Sequence, residues 1–280
     1  MSSKRTVSCG RIVLFAVIAI VVVILVAVGV FLNWRAERTR PTPTPTLPPP
    51  PPTPVSQEAV ESGILYQTDF SAPDPLWELF DDGIISASIT DGRLVVGVQS
   101  GGDTGAWSGL NYTFEDFVLD VDATKLAGSD DNGIMVIFRL VDNANYYRFD
   151  ISSDGFYALS EIQGGAHTVV SDYAMSSAIV QGDATNHIRV EAVGGTFRFF
   201  VNDTPLPLCV ATDHASRPLW DHSAAEPTCV GGVVTEEWQD ADFPRGKIGL
   251  GAQGFAGIDT IAEATIGFDN LVITAPDNEP

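Results

Sequence analysis

Residues 12–32, IVLFAVIAIVVVILVAVGVFL, are 21 consecutive positions with no charge and no strongly polar side chain. As a helix such a run reaches roughly 30 Å, about the hydrocarbon thickness of a bilayer. Its β-branched richness would suit a buried strand, but strands are seldom so long. A secretory signal carries a shorter apolar stretch that ends at a small-x-small cleavage site, whereas this run passes into Phe31-Leu32-Asn33-Trp34. The stretch is therefore expected to be an uncleaved transmembrane helix, with Trp34 at interface depth and arginines beyond it. The remainder divides around that anchor into a short N-terminus (1–11), a basic juxtamembrane segment (33–40), a Pro/Thr-rich linker (41–60) and a domain over 61–280.

Basic residues flank the run almost equally on both sides, so the positive-inside bias does not set its orientation. Two other features do. Cys209 and Cys229 bracket one late loop, and a lone cysteine pair in an exported domain suggests a disulfide, whereas Cys9 suits a reducing compartment. Residues 41–54, PTPTPTLPPPPPTP, exclude helix and sheet because proline fixes φ and lacks an amide donor. They extend as polyproline II to about 43 Å, a spacer suited to lifting a domain off an outer surface. The expectation is a single-pass protein of the cell membrane with its C-terminal domain extracytoplasmic. Residues 1–40 carry a net charge of +5 and the rest of the chain −26. So acidic a surface repels phosphate backbones, which argues against nucleic acid as a partner.

From Ile64 onward the apolar pattern has period two, punctuated by Gly, Asp and Asn. The spacing predicts an antiparallel sandwich. Pairing Leu140 with Asn145 puts Ile134, Val136, Phe138, Tyr147, Phe149 and Ile151 on one apolar face, and Arg139, Tyr146, Arg148 and Asp150 on the other. Asp154-Gly155 reads as a two-residue hairpin that sets Arg148 opposite Glu161. Gly194-Gly195 joins two strands in which Ile188, Val190 and Ala192 meet Phe197, Phe199 and Val201, while Glu191 faces Arg198.

The segments GIMVIFR (133–139), NYYRF (145–149), DGFY (154–157), HIRV (187–190), FVND (200–203), GKIGL (246–250) and FDNLV (268–272), with Tyr66–Phe70 and Trp77 ahead of them, carry a family resemblance. Over roughly residues 64–275 the chain resembles the concanavalin A-like lectin/glucanase superfamily of jelly rolls. The likeness is to laminin-G-like and 3-keto-disaccharide-hydrolase-type domains of exported bacterial proteins. It implies an all-β, two-sheet jelly roll behind the transmembrane helix and stalk. Because the matching residues are core and turn residues, it speaks to architecture more than to activity.

Glucanases of that superfamily place paired carboxylates on alternate positions of one strand. The nearest match is Asp120-Val121-Asp122, without the full Glu-x-Asp-x-x-Glu pattern, and strand-face aspartates are also ordinary solvating residues. Arg139, Tyr146, Arg148, Asp150, Tyr157 and Glu161, expected on one sheet face, offer the planar donors and flat rings that sugars require. A solvating ion-pair ladder, Arg148 with Glu161, is the alternative. The resemblance further implies neighbouring first and last strands, where Asp69 and Asp269 would suit a structural calcium; they also suit turn and strand-edge positions. Asp213-His214 and Asp221-His222 form two metal-capable pairs inside the cysteine loop, read here as part of a disulfide-stapled surface loop. The expected function is binding of a glycan or another cell-envelope ligand without catalysis and without a required cofactor. A glycoside hydrolase of the same fold and a purely structural ectodomain remain open at this point.

Overall fold

The computed structural model of the protein describes residues 63–212, 217–223, 227–257 and 261–276. The expected helix 12–32, the linker 41–60, Cys9 and the Asp213-His214 pair lie outside the described residues. Among the described residues no helix is long and apolar enough to cross a membrane. The regular structure there is strand.

The strands in chain order are β1 Ile64–Thr68, β2 Phe80–Asp81, β3 Ile85–Thr90, β4 Arg93–Ser100, β5 Thr104–Phe114, β6 Phe117–Gly128, β7 Asn132–Asp142, β8 Asn145–Ile151, β9 Phe156–Gln163 and β10 Ala166–Met175. They continue with β11 Thr185–Val193, β12 Thr196–Val201, β13 Thr204–Pro205, β14 Leu208–Ala211, β15 Leu219–Asp221, β16 Thr228–Val230, β17 Gly232–Thr235, β18 Trp238–Gln239, β19 Gly246–Gly254 and β20 Ala262–Thr274. A ten-stranded sheet runs β13-β12-β11-β6-β20-β4-β3-β2, with β1 added on β20 and β18 on β12. A six-stranded sheet runs β10-β9-β8-β7-β19-β5. The first and last strands are neighbours, as expected.

Alternation dictates which face each sheet buries. In β6 Phe117, Leu119, Val121 and Ala123 are buried, and Asp120 and Asp122 between them turn outward. The two inner faces meet through aromatic rings: Phe138 lies 5.3 Å from Phe197, and Phe149 stacks on Phe199 at 4.6 Å. Fully burying such a ring stabilises by about 1.5–3 kcal/mol. This is a two-sheet antiparallel sandwich. The Gly194-Gly195 hairpin has the predicted register, Val190 against Phe199 and Glu191 against Arg198.

Two other hairpins depart from expectation. Between β7 and β8 the pairs run as predicted from Ile134–Ile151 to Phe138–Tyr147, but then Asp142, not Leu140, takes up the strand end beside Asn145. Arg139 occupies the break with a left-handed φ of 52°. Gly246 makes room for it, since a Cβ there would sit 2.1 Å from the Arg139 carbonyl carbon. A bulge of this kind exchanges faces. Arg139 is buried, with its guanidinium over Phe117 and Phe197, while Leu140 clusters with Ile137, Tyr146 and Ile162 outside.

The β8–β9 hairpin is longer than two residues. Ser152 donates its amide to the Phe156 carbonyl at 2.8 Å, and its hydroxyl accepts from the Phe156 amide at 3.0 Å. The register therefore shifts by one: Ile151 faces Tyr157, and Arg148 faces Ser160 rather than Glu161. One residue of slip reverses every side chain. Tyr157 and Glu161 consequently share the inner side of the strand, and Tyr157 donates its hydroxyl to the Pro207 carbonyl. Serine loop chemistry outweighed the Asp-Gly signal.

Cys209 and Cys229 are disulfide-bonded, with Cα atoms 5.4 Å apart. They close an arm made of two small two-stranded sheets, β14 with β17 and β15 with β16.

Candidate functional site

Of the six residues expected on one face, the structure brings together three: Tyr146, Arg148 and Asp150, on the outer face of the six-stranded sheet. Arg139 is instead a tie at the end of the sandwich. It donates to the carbonyls of Glu115, Pro244 and Gly194, the last at 3.0 Å, and pairs with Asp116 at 3.4 Å. Burial depresses its guanidinium below the ordinary value despite Asp116. Tyr157 is in the core, and Glu161 turns toward Asp240 and Asp242.

The outer face gains two residues that the pattern did not single out, Trp107 and Gln253. Trp107 is on β5 and Tyr146 on β8, three strand intervals apart, or about 14 Å at the usual spacing. Their ring centroids nonetheless lie 5.5 Å apart. The rings can lie down over the sheet because β19 presents glycine beneath them. A Cβ on Gly249 would stand 3.1 Å from Trp107 Cδ1, and one on Gly251 would stand 2.8 Å from Trp107 Cβ. The alternation of Gly249 and Gly251 with Ile248, Leu250 and Ala252 was the signal for this platform.

Beside the rings, Arg148 Nε donates to both Asp150 oxygens, at 2.8 and 2.7 Å, and its Nη2 donates to Gln253 Oε1. Asp150 is 2 % exposed, so burial pushes its carboxyl upward even with the guanidinium against it. Burial also opposes the Arg148 charge, but Asp150 outweighs it and the guanidinium is held above its ordinary value. Desolvation likewise raises the Tyr146 hydroxyl. The face thus combines two tilted rings with a fixed, planar arrangement of donors and acceptors, half shielded from water.

The opposite outer face holds Asp120 and Asp122. His187 Nδ1 lies 2.8 Å from Asp122, its Nε2 lies 3.0 Å from Asp120, and Arg189 Nε donates to Asp120 at 2.7 Å. Asn270 donates to the other Asp122 oxygen at 2.9 Å. Partial burial works against a charged His187, but the two carboxylates prevail and hold the ring above its ordinary value. Both aspartates are thereby engaged in a cross-strand ion-pair ladder.

Asp69 Oδ1 accepts from the Ser71 hydroxyl at 2.6 Å and amide at 3.0 Å, bonds that lower its carboxyl. Asp269 accepts from the Asn270 amide at 2.7 Å. Asp69 thus makes local turn bonds, and Asp269 bonds its own neighbour within β20. Among the described residues a different trio, Glu161, Asp240 and Asp242, brings three carboxylates into metal-ligating proximity. Asp221 of the cysteine loop accepts from the Ser223 amide, and His222 Nε2 lies 3.1 Å from the Tyr173 carbonyl.

No protein-family profile matches the chain, and no curated protein matches it. Among solved structures, a carbohydrate-binding module from Bacillus subtilis is similar at 17% identity and a TM-score of 0.45, over 71% of this chain and 96% of that one. A Bacillus subtilis protein of unknown function with a galectin-like fold matches at 12% identity and a TM-score of 0.49, over 76% of this chain and 96% of that one. The catalytic domain of an endo-1,3-beta-glucanase (laminarinase) from Thermotoga petrophila matches at 11% identity and a TM-score of 0.47, over 77% and 98%.

Proposed function

We propose that this domain binds a glycan on the outer face of its six-stranded sheet without cleaving it, displayed outside the cell by the anchor 12–32 and the linker 41–60. One observation carries the reading: the Trp107–Tyr146 pair lies across a glycine floor beside the Arg148–Asp150–Gln253 group. A pyranose offers an apolar C–H face to rings and equatorial hydroxyls to planar donors and acceptors, and this face supplies both. Arg148 and Gln253 are only partly exposed, so a hydroxyl bonding to them would meet less competing solvent than on an open surface.

The test is a glycan array probed with the full-length chain in detergent, followed by titration of the retained sugars. Retention that Trp107→Ala and Tyr146→Ala remove, with far-ultraviolet circular dichroism unchanged, supports the site. Equal retention by both variants on every sugar overturns it. A hydrolase working through Asp120 and Asp122 would instead release reducing ends that vanish in Asp120→Asn or Asp122→Asn. Topology has its own check: protease added to intact cells, or to spheroplasts, should remove the domain before lysis. A domain shielded until lysis would reverse the orientation.

A further inference from the structure

The six-stranded sheet finishes its two edges differently. Along β5 the rim is covered: the Glu78 amide donates to the Gly109 carbonyl at 3.0 Å, the Asn111 amide donates to the Leu76 carbonyl at 2.7 Å, and Trp77 bridges to Leu110 between them. Along β10 only the second half is guarded. The register breaks after Val169 and again after Ser171, the Ser171 hydroxyl takes the Cys209 amide at 3.0 Å, and His222 lies 3.1 Å from the Tyr173 carbonyl. The first half is open. Residues 166–169 pair in unbroken register with residues 163–160 of β9, and among the described residues they make no backbone hydrogen bond on their other side. A bare rim of amide donors and carbonyl acceptors is a template for a further strand, and edges are ordinarily guarded by lysine, proline or a bulge. The stretch AHTV (166–169) has neither lysine nor proline, and the bulges come after it.

This rim opens onto a cleft of about 1360 Å³. His167, Thr168, Val169 and Val170 all line it. Successive residues of a strand point to opposite faces, so what four in a row share is the edge itself. Val210 and Val233 of the small β14–β17 sheet and the half-buried Trp238 give the cleft apolar wall, while five carboxylates against Arg217 and His167 make it acidic. It shares no lining residue with the Trp107–Tyr146 platform or the Arg148 group.

We propose that this edge takes up an extended peptide segment of a partner protein as a seventh strand beside β10, with lysine or arginine at alternate positions. Backbone bonds to the rim supply affinity, and the cleft supplies the side-chain preference. Thr168 shares a side of the sheet with Glu161, and Val169 shares the other with Ser160 and Arg148. Guest side chains on the Thr168 side therefore enter the acidic lining, where the apolar wall covers the stems of long basic residues. Those on the other side cover Val169, which is 45% exposed. A second copy of this chain is the wrong guest, because residues 41–280 would bring the same net charge of −26 to an acidic cleft.

The experiment uses the full-length chain in a non-ionic detergent and an alternating lysine–valine octapeptide with both ends blocked. At saturation the peptide should slow hydrogen exchange of the rim-facing amides within residues 166–169 by about tenfold or more and leave β5 unchanged. Methylating every second peptide nitrogen removes the donors from one side of the guest. Of the two possible methylated sets, one should raise Kd by about tenfold or more and the other should change it little. A glutamate–valine octapeptide should bind at least about tenfold more weakly. Val169→Lys, which places a guard at an exposed position, should weaken the lysine–valine peptide by about tenfold with Tm unchanged. Four results would overturn the proposal: no slowing at residues 166–169, undiminished affinity for both methylated peptides, equal affinity for the glutamate–valine peptide, or undiminished binding by Val169→Lys. Slowing confined to β5 or to β8 would place the peptide elsewhere and overturn it as well.

Discussion

The two outward faces of the sandwich each carry an Arg–Asp pair, yet they are built on opposite terms. On the ten-stranded sheet, Arg189 and Asp120 have side chains 37% and 19% exposed, and His187 links them to Asp122. On the six-stranded sheet, Arg148 and Asp150 are 16% and 3% exposed and lie against Gln253 beside an aromatic pair. The first arrangement gives each charge a neighbour in water. The second fixes a polar group where water is scarce, which costs desolvation and leaves an environment in which a further hydrogen bond counts for more. The same residue types thus solvate one sheet and lie desolvated beside an aromatic pair on the other.

The comparison can be broken at its arginines. Arg148→Ala strands Asp150 in the interior and should cost about 3 kcal/mol of stability. Arg189→Ala, at the exposed ladder, should cost under ~1 kcal/mol. Urea denaturation of both variants measures the contrast, and equal costs would remove the distinction between the faces.

A second cut is at the rings. Trp107→Ala should weaken glycan binding by about 2 kcal/mol, roughly thirtyfold, as expected of an aromatic anchor in an interface. Asp120→Asn should leave the same titration unchanged. If Asp120→Asn weakens binding and Trp107→Ala does not, the ligand lies on the other sheet.

The smallest effect sharpens the ladder. His187 has its folded pKa raised above the unfolded value of 6.5. Its contribution to stability is therefore fully present below pH 6.5 and is lost as pH rises through the higher folded value. Over a third of the ring is exposed, so the contribution should stay under ~1 kcal/mol. Stability of the parent minus that of His187→Gln, followed from pH 5.5 to 8.5, should decline with rising pH. A flat difference would mean that the two aspartates do not hold the imidazolium.

The β7–β8 pairing was legible up to Phe138 because alternation over five residues on each side admits one register with a dry face. The Gly194-Gly195 hairpin was legible for the same reason, and the disulfide because a lone cysteine pair brackets one loop. Of the six residues expected on one face, that placement was legible only for Tyr146, Arg148 and Asp150, which stand on the regular part of β8. Arg139 was misplaced by a bulge that depends on Gly246, over a hundred residues away in the chain. Glu161 and Tyr157 were misplaced by Ser152, whose hydroxyl closes a longer loop around an Asp-Gly step.

By itself, then, the sequence determined that residues 64–275 form an antiparallel sandwich, and which side chains of its regular strands face the core. Period-two alternation is local, and burial of one face leaves a strand no choice. Only the tertiary structure decided which polar residues share a surface. That depends on bulges and loop closures set by distant partners, and on Trp107 reaching across two intervening strands to Tyr146 over glycines from a strand distant in the chain. Whether a carboxylate keeps company with water, with Arg148 or with two other acids is a property of the assembled sheets, because desolvation and Coulomb energy act through space and not along the chain.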